Sequence, residues 1–107
     1  MIVQVNTGNT IDGNAAMTDS LEILTRDRLS RFADKLTRVE IHITDENGPR
    51  ESGDDKQCVI EARPTGLGPV KVTDTAGSIH QATVGALGKM VSALDRTYGK
   101  LTDRKGH

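Results

Sequence analysis

At 107 residues the chain is long enough for one domain of common size and too short for two. Lys plus Arg number 14 against 15 Asp plus Glu, so the net charge of −1 leaves no argument from bulk positive charge for nucleic acid, and only local charge placement can carry one. Hydrophobic residues at 35% point to a small core, and Phe32 and Tyr98 as the sole aromatics nearly exclude a stacked-base platform or an aromatic cage. A lone Cys58 cannot form an internal disulfide. The start MIVQVNTG has neither the basic region nor the apolar run of a secretory signal, which makes the expected compartment cytoplasmic, and no apolar stretch approaches the roughly 20 residues that span a bilayer.

Residues 1–8 carry Ile2, Val3 and Val5 and run into the Gly/Asn-rich segment Thr7 to Asn14, which predicts a short strand and a loop. Over 18–38 the spacing of Leu21, Leu29, Phe32 and Leu36 predicts a helix, with Asp19 and Glu22 as a start signal beside Thr18. Residues 39–44 alternate, with Val39, Ile41 and Ile43 against Glu40, His42 and Thr44, and so read as a strand with one buried face. An acidic connection follows from Asp45 to Asp55. Cys58, Ile60 and Ala62 then share a face over 57–63, Gly66-Leu67-Gly68-Pro69 turns, and Val70 and Val72 oppose Lys71 and Thr73 in a last strand. Ser78-Ile79-His80-Gln81 is a capping box that opens a second helix towards Leu101, and Thr102–His107 reads as a loose tail. The expected fold is α+β: a two-layer sandwich of order β-α-β-β-β-α, with two helices packed on one face of a four-stranded sheet.

Charge placement inside the two helices carries more than the total. At 100° per residue from Leu21, the apolar residues of the first helix fall between about 0° and 80°, and Arg28, Arg31, Lys35 and Arg38 fall between about 260° and 340°. On the second helix Lys89, Arg96 and Lys100 lie between about 260° and 300° from Ile79, again beside the apolar face. Seven cations on matching flanks of adjacent helices would make a ridge suited to phosphates. The plainer reading is a solvated face, with Asp27→Arg31 and Asp34→Arg38 as i,i+4 pairs that stabilise a helix with no partner.

Chemistry finds little support elsewhere. His42, Cys58, His80 and His107 have no metal-ligand spacing, so no metal site is expected. Cys58 reads as a small buried hydrophobe and His42 as a surface residue or a contact. Gly66-Leu67-Gly68 leads into a strand and lacks the G-K-[ST] of a phosphate loop. No catalytic set, cofactor or small-molecule substrate is expected. Gly85, Gly88 and Gly99 in the second helix either permit a close approach or weaken the helix, each at about 1 kcal/mol relative to Ala.

The strings Val39-Glu40-Ile41-His42-Ile43-Thr44-Asp45-Glu46-Asn47-Gly48, Cys58-Val59-Ile60-Glu61-Ala62-Arg63, Val70-Lys71-Val72-Thr73 and Lys89 through Leu94-Asp95-Arg96 resemble the ribosome hibernation promoting factor family, which includes the ribosome-associated inhibitors of bacteria. Thr18-Asp19-Ser20-Leu21 also resembles that family's entry to its first helix, and the likeness spans nearly the whole chain. It implies a single ribosome-associated domain of the short form over 1–107, which binds the small ribosomal subunit in the channel used by messenger and transfer RNA. Translation would be blocked by occupancy as a stress response, with no reaction catalysed. Arg28, Arg31, Lys35, Arg38, Lys89, Arg96 and Lys100 would contact ribosomal RNA phosphates. Apart from the resemblance, a homodimer is among the expected partners. The alternative is a non-enzymatic interaction module that self-associates or binds a partner through its open sheet face or edge.

Overall fold

A computed structural model of the chain describes residues 1–7, 15–45 and 56–105, the side chains of Asp45 and of 100–105 excepted. The turn-rich segment 8–14 and the acidic connection over 46–55 lie outside the described residues. The elements are β1 (Ile2–Thr7), α1 (Ala15–Arg28), a 3-10 turn (Ser30–Phe32), β2 (Leu36–Asp45), β3 (Lys56–Pro64), β4 (Val70–Ala76) and α2 (Ile79–Lys105). The expected order β-α-β-β-β-α is therefore the observed one. The expected loose tail is corrected in part, since α2 carries the helix through 102–105.

Strand order in the sheet is β1-β2-β3-β4, with β1 parallel to β2 and the other two pairs antiparallel. A parallel neighbour cannot be reached by a tight turn, and α1 supplies the crossover. The turn from β3 to β4 closes with Leu67 N–H donating to Pro64 O at 3.2 Å, and Gly66 takes φ +75°, a value that side chains disfavour. Alternation decides which face is buried. Val39, Ile41 and Ile43 of β2 and Cys58, Ile60 and Ala62 of β3 point under the helices and are at most 1% exposed.

The helices cover that face side by side, α1 over β1 and α2 over β3 and β4. Ala82 and Ala86, one turn apart on α2 and fully buried, let the helix settle close to the sheet, and Leu87, Met90 and Leu94 fill the space beside them. Each fully buried Leu or Ile contributes about 1.5–3 kcal/mol by leaving water. Ser78 acts as expected at the start of α2, its Oγ accepting from Gln81 N–H at 3.1 Å.

The first helix is where sequence and structure part. A helix over 18–38 was expected, but α1 begins at Ala15 and ends at Arg28. Beyond it the backbone tightens into three-residue closures, Phe32 N–H to Leu29 O at 2.9 Å and Lys35 N–H to Phe32 O at 2.9 Å. Strand β2 then starts at Leu36, three residues earlier than its alternation indicates. A register shift between Leu36 and Arg38 in the β2–β3 pairing explains the concealment. The irregularity lets Leu36 and Val39, three residues apart, both face the core, and an i,i+3 apolar spacing in sequence reads as helix.

Candidate nucleic-acid interface

The early end of α1 redistributes the cations expected on one helical stripe. Only Arg28 lies on α1, at its last residue, with its Nε 4.0 Å from Asp27 Oδ2. Arg31 sits on the 3-10 turn, Lys35 in the turn that follows, and Arg38 on β2. The i,i+4 pairs Asp27→Arg31 and Asp34→Arg38 need a continuous helix and so do not arise. The expected stripe of four is corrected to two exposed cations at the seam between the helices, one at the end of α1, and one on the far side of the sheet.

At the seam Arg31 donates to both carboxylate oxygens of Asp95, at 2.8 and 3.0 Å, and its guanidinium carbon lies 4.8 Å from the centroid of Phe32. Lys35 holds its ammonium 4.7 Å from the Tyr98 centroid. Phe32 and Tyr98 themselves stack at 6.0 Å and 17°, so both aromatics of the chain are spent on each other and on these cations. Burial pushes the Tyr98 phenol above its ordinary value.

Lys89 and Arg96 occupy the opposite flank of α2. Asp95 and Tyr98 fall at about 160° and 100° from Ile79 on the helical wheel, against about 280° and 260° for Lys89 and Arg96. The latter two line a groove between α2 and β4 together with Val72, Thr73, Gly85, Gly88 and Ser92. Lys89 Nζ donates to Thr73 O at 2.9 Å and lies 3.1 Å from Asp74 Oδ1. Arg96 makes no ion pair with a described residue, and the side chain of Lys100 lies outside the described residues. Lys89 and Arg96 therefore share one flank of the second helix, but that flank faces β4 and away from Arg31 and Lys35.

Arg38 belongs to a different surface. On the open face of the sheet its Nε donates to Glu40 Oε2 at 3.1 Å and its terminal nitrogen to Gln4 Oε1. His42 Nε2 stands 3.6 Å from Glu40 Oε1, and on β3 Arg63 stands 3.5 Å from Glu61. Because Glu40 pairs with Glu61 and Arg38 with Arg63 across β2 and β3, charges of both signs alternate down this face. With Lys71 of β4 on the same face, its charge is mixed and nearly balanced, unlike a basic stripe.

One further residue escaped the sequence reading. Asp74 shares the inward parity of Val70 and Val72, so the alternation already placed an acid under α2. Its room comes from Gly85, where a Cβ would lie 1.7 Å from Asp74 Oδ2; this resolves one of the three helical glycines as a site of close approach, whereas Gly88 and Gly99 face open space. Cys58, as expected, is fully buried, and desolvation pushes its thiol from 9.0 up to about 11 in spite of a hydrogen bond with Thr83. Among the described residues no group of three or more His, Cys, Asp or Glu is placed to hold a metal ion, and no helix is long and apolar enough to cross a membrane.

The sequence matches no protein-family model and no curated protein. Solved structures do resemble the fold. The N-terminal domain of Thermus thermophilus Protein Y superposes with a TM-score of 0.70 at 17% identity, covering 91% of this chain and 99% of that one. A ribosomal subunit interface protein from Coxiella burnetii gives 0.69 at 14% identity, covering 92% and 99%. Over nearly its whole length, then, this chain has the fold of the Protein Y N-terminal domain and of a ribosomal subunit interface protein, in agreement with the resemblance its strands and second helix carry in sequence.

Proposed function

We propose that the protein binds the ribosome and acts by occupancy, filling the small-subunit channel for messenger and transfer RNA and so holding translation off. The observation that carries this reading is the end-to-end fold likeness to a ribosomal subunit interface protein, in which the matched domain is the whole of that chain to within 1%. The surface chemistry is compatible with it. Arg28, Arg31 and Lys35 on one side of α2 and Arg96 on the other are exposed on the helical layer, where RNA phosphates would meet them. The Arg31–Asp95 pair does not withdraw its cation from use, because both side chains are more than half exposed and such pairs are worth about 0–1 kcal/mol, less than a phosphate contact offers. Arg38 contributes least, since it lies on the mixed-charge sheet face.

Co-sedimentation with purified ribosomes and with separated subunits tests the proposal. Binding to the small subunit that weakens steeply between about 50 and 200 mM salt is expected of a contact that neutralises several phosphates. Absence of binding at low salt, or binding indifferent to salt, overturns it.

A further inference from the structure

Along β4 the residues turned towards α2 are Val70, Val72, Asp74 and Ala76, so Asp74 is a lone carboxylate in an apolar column, opposite the fully buried Cys58 of β3. A half-buried carboxylate is stable there only with a cation at hand, and Lys89 supplies it. The Lys89 ammonium stands 3.1 Å from Asp74 Oδ1 and donates to Thr73 O at 2.9 Å, so two acceptors on one strand hold it. This pair differs from Arg31–Asp95 in the freedom of its acid. Asp95 is 51% exposed and can turn to water when Arg31 leaves. Asp74 is 28% exposed and lies beneath Gly85, where a Cβ would collide with its Oδ2. A ligand that took Lys89 away would strand that carboxylate under the helix without its partner.

We propose that Asp74, admitted by Gly85, withholds Lys89 from phosphate and so leaves Arg96 as the contact on this flank of α2, a proposal that rests on reading the helical layer as the RNA-contact surface. Asp74 is then a specificity-determining residue that touches no RNA itself. Two effects act together. Lys89 and Asp74 sum to zero charge, and the Asp74 carboxylate repels any phosphate that approaches the ammonium. Arg96, about two turns further along α2 in the same groove, makes no ion pair with a described residue and remains the cation that a phosphate meets.

The full chain, Asp74→Asn, Lys89→Gln and the double variant are titrated into an end-labelled single-stranded RNA by fluorescence anisotropy at several salt concentrations. Asp74→Asn should bind about threefold or more tightly and steepen the log–log salt slope by about 0.7, the increment for one further phosphate on a single strand. Lys89→Gln should remove that increment in the Asp74→Asn background and lower the parent's slope by under about half as much. An Asp74 that served the fold alone would shift the melting temperature and leave the slope where it was. A folded Asp74→Asn that gains neither affinity nor slope overturns the proposal, as does a Lys89→Gln effect of equal size in both backgrounds. Should Asp74→Asn lose its circular-dichroism melt, Asp74→Ala carries the same comparison. Ribosome co-sedimentation of the parent reads the ribosomal proposal separately, and its failure leaves the RNA cycle standing.

Discussion

Arg31 and Asp95, sixty-four residues apart in sequence, are joined by a two-pronged contact at 2.8 and 3.0 Å that pins the turn after α1 to the outer half of α2. The pair is exposed on both sides, 63% and 51%, so its worth to folding is small and its worth to charge placement is larger. Asp95→Asn should alter unfolding free energy by less than about 1 kcal/mol, as read by urea titration. The same variant should tighten ribosome co-sedimentation by roughly fivefold or less and steepen its salt dependence, because a guanidinium is released to phosphate. Weaker binding would mean that Asp95 presents Arg31 instead of competing for it.

The two sides of the sheet should separate in a charge-reversal series. Arg28→Glu, Arg31→Glu and Lys35→Glu combined should abolish co-sedimentation while circular dichroism stays unchanged, and each single reversal should lower the log–log salt slope by about one. Arg38→Glu, on the opposite face, should leave binding within error. Equal losses from both faces would exclude the helical layer as the contact.

Two glycines on one helix should respond with opposite signs. At Gly88 an added methyl meets open space, so Gly88→Ala should raise stability by roughly 0.5–1 kcal/mol through helix propensity. At Gly85 the methyl would fall 1.7 Å from Asp74 Oδ2, and Asp74 would have to give up its position beside Lys89. Gly85→Ala should therefore gain nothing or lose about 1–2 kcal/mol, and the loss should vanish when Asp74→Ala is combined with it. Chemical denaturation of the four proteins in that cycle reads the coupling directly.

Alkaline pH should weaken the fold through Cys58. Its thiol is raised from 9.0 to about 11 by burial, so between those values the unfolded chain has lost the proton while the folded chain retains it. Stability is then fully present below pH 9 and falls as pH rises towards 11. Cys58→Ala should flatten this slope relative to the parent in denaturant midpoints measured across that range. The native thiol should also resist a thiol-reactive dye at neutral pH and react only on unfolding.

Sequence alone determined the strand faces, the start of α2 and the burial of Cys58, because each is a local consequence of period-two alternation or of a capping side chain. Val39, Ile41 and Ile43 cannot all be buried unless Glu40 and His42 are not, whatever the rest of the chain does. The end of α1 was of another kind. Leu29, Phe32 and Leu36 are buried in the observed turn and strand as they would have been in a longer helix, so the apolar pattern satisfied both conformations equally. Only the pairing of Leu36 with Pro64, with its register shift before Arg38, chose between them. That choice sent Arg31 and Lys35 to the seam with α2 and Arg38 to the opposite face, and it was beyond local reach because the deciding contacts join strands more than twenty residues apart.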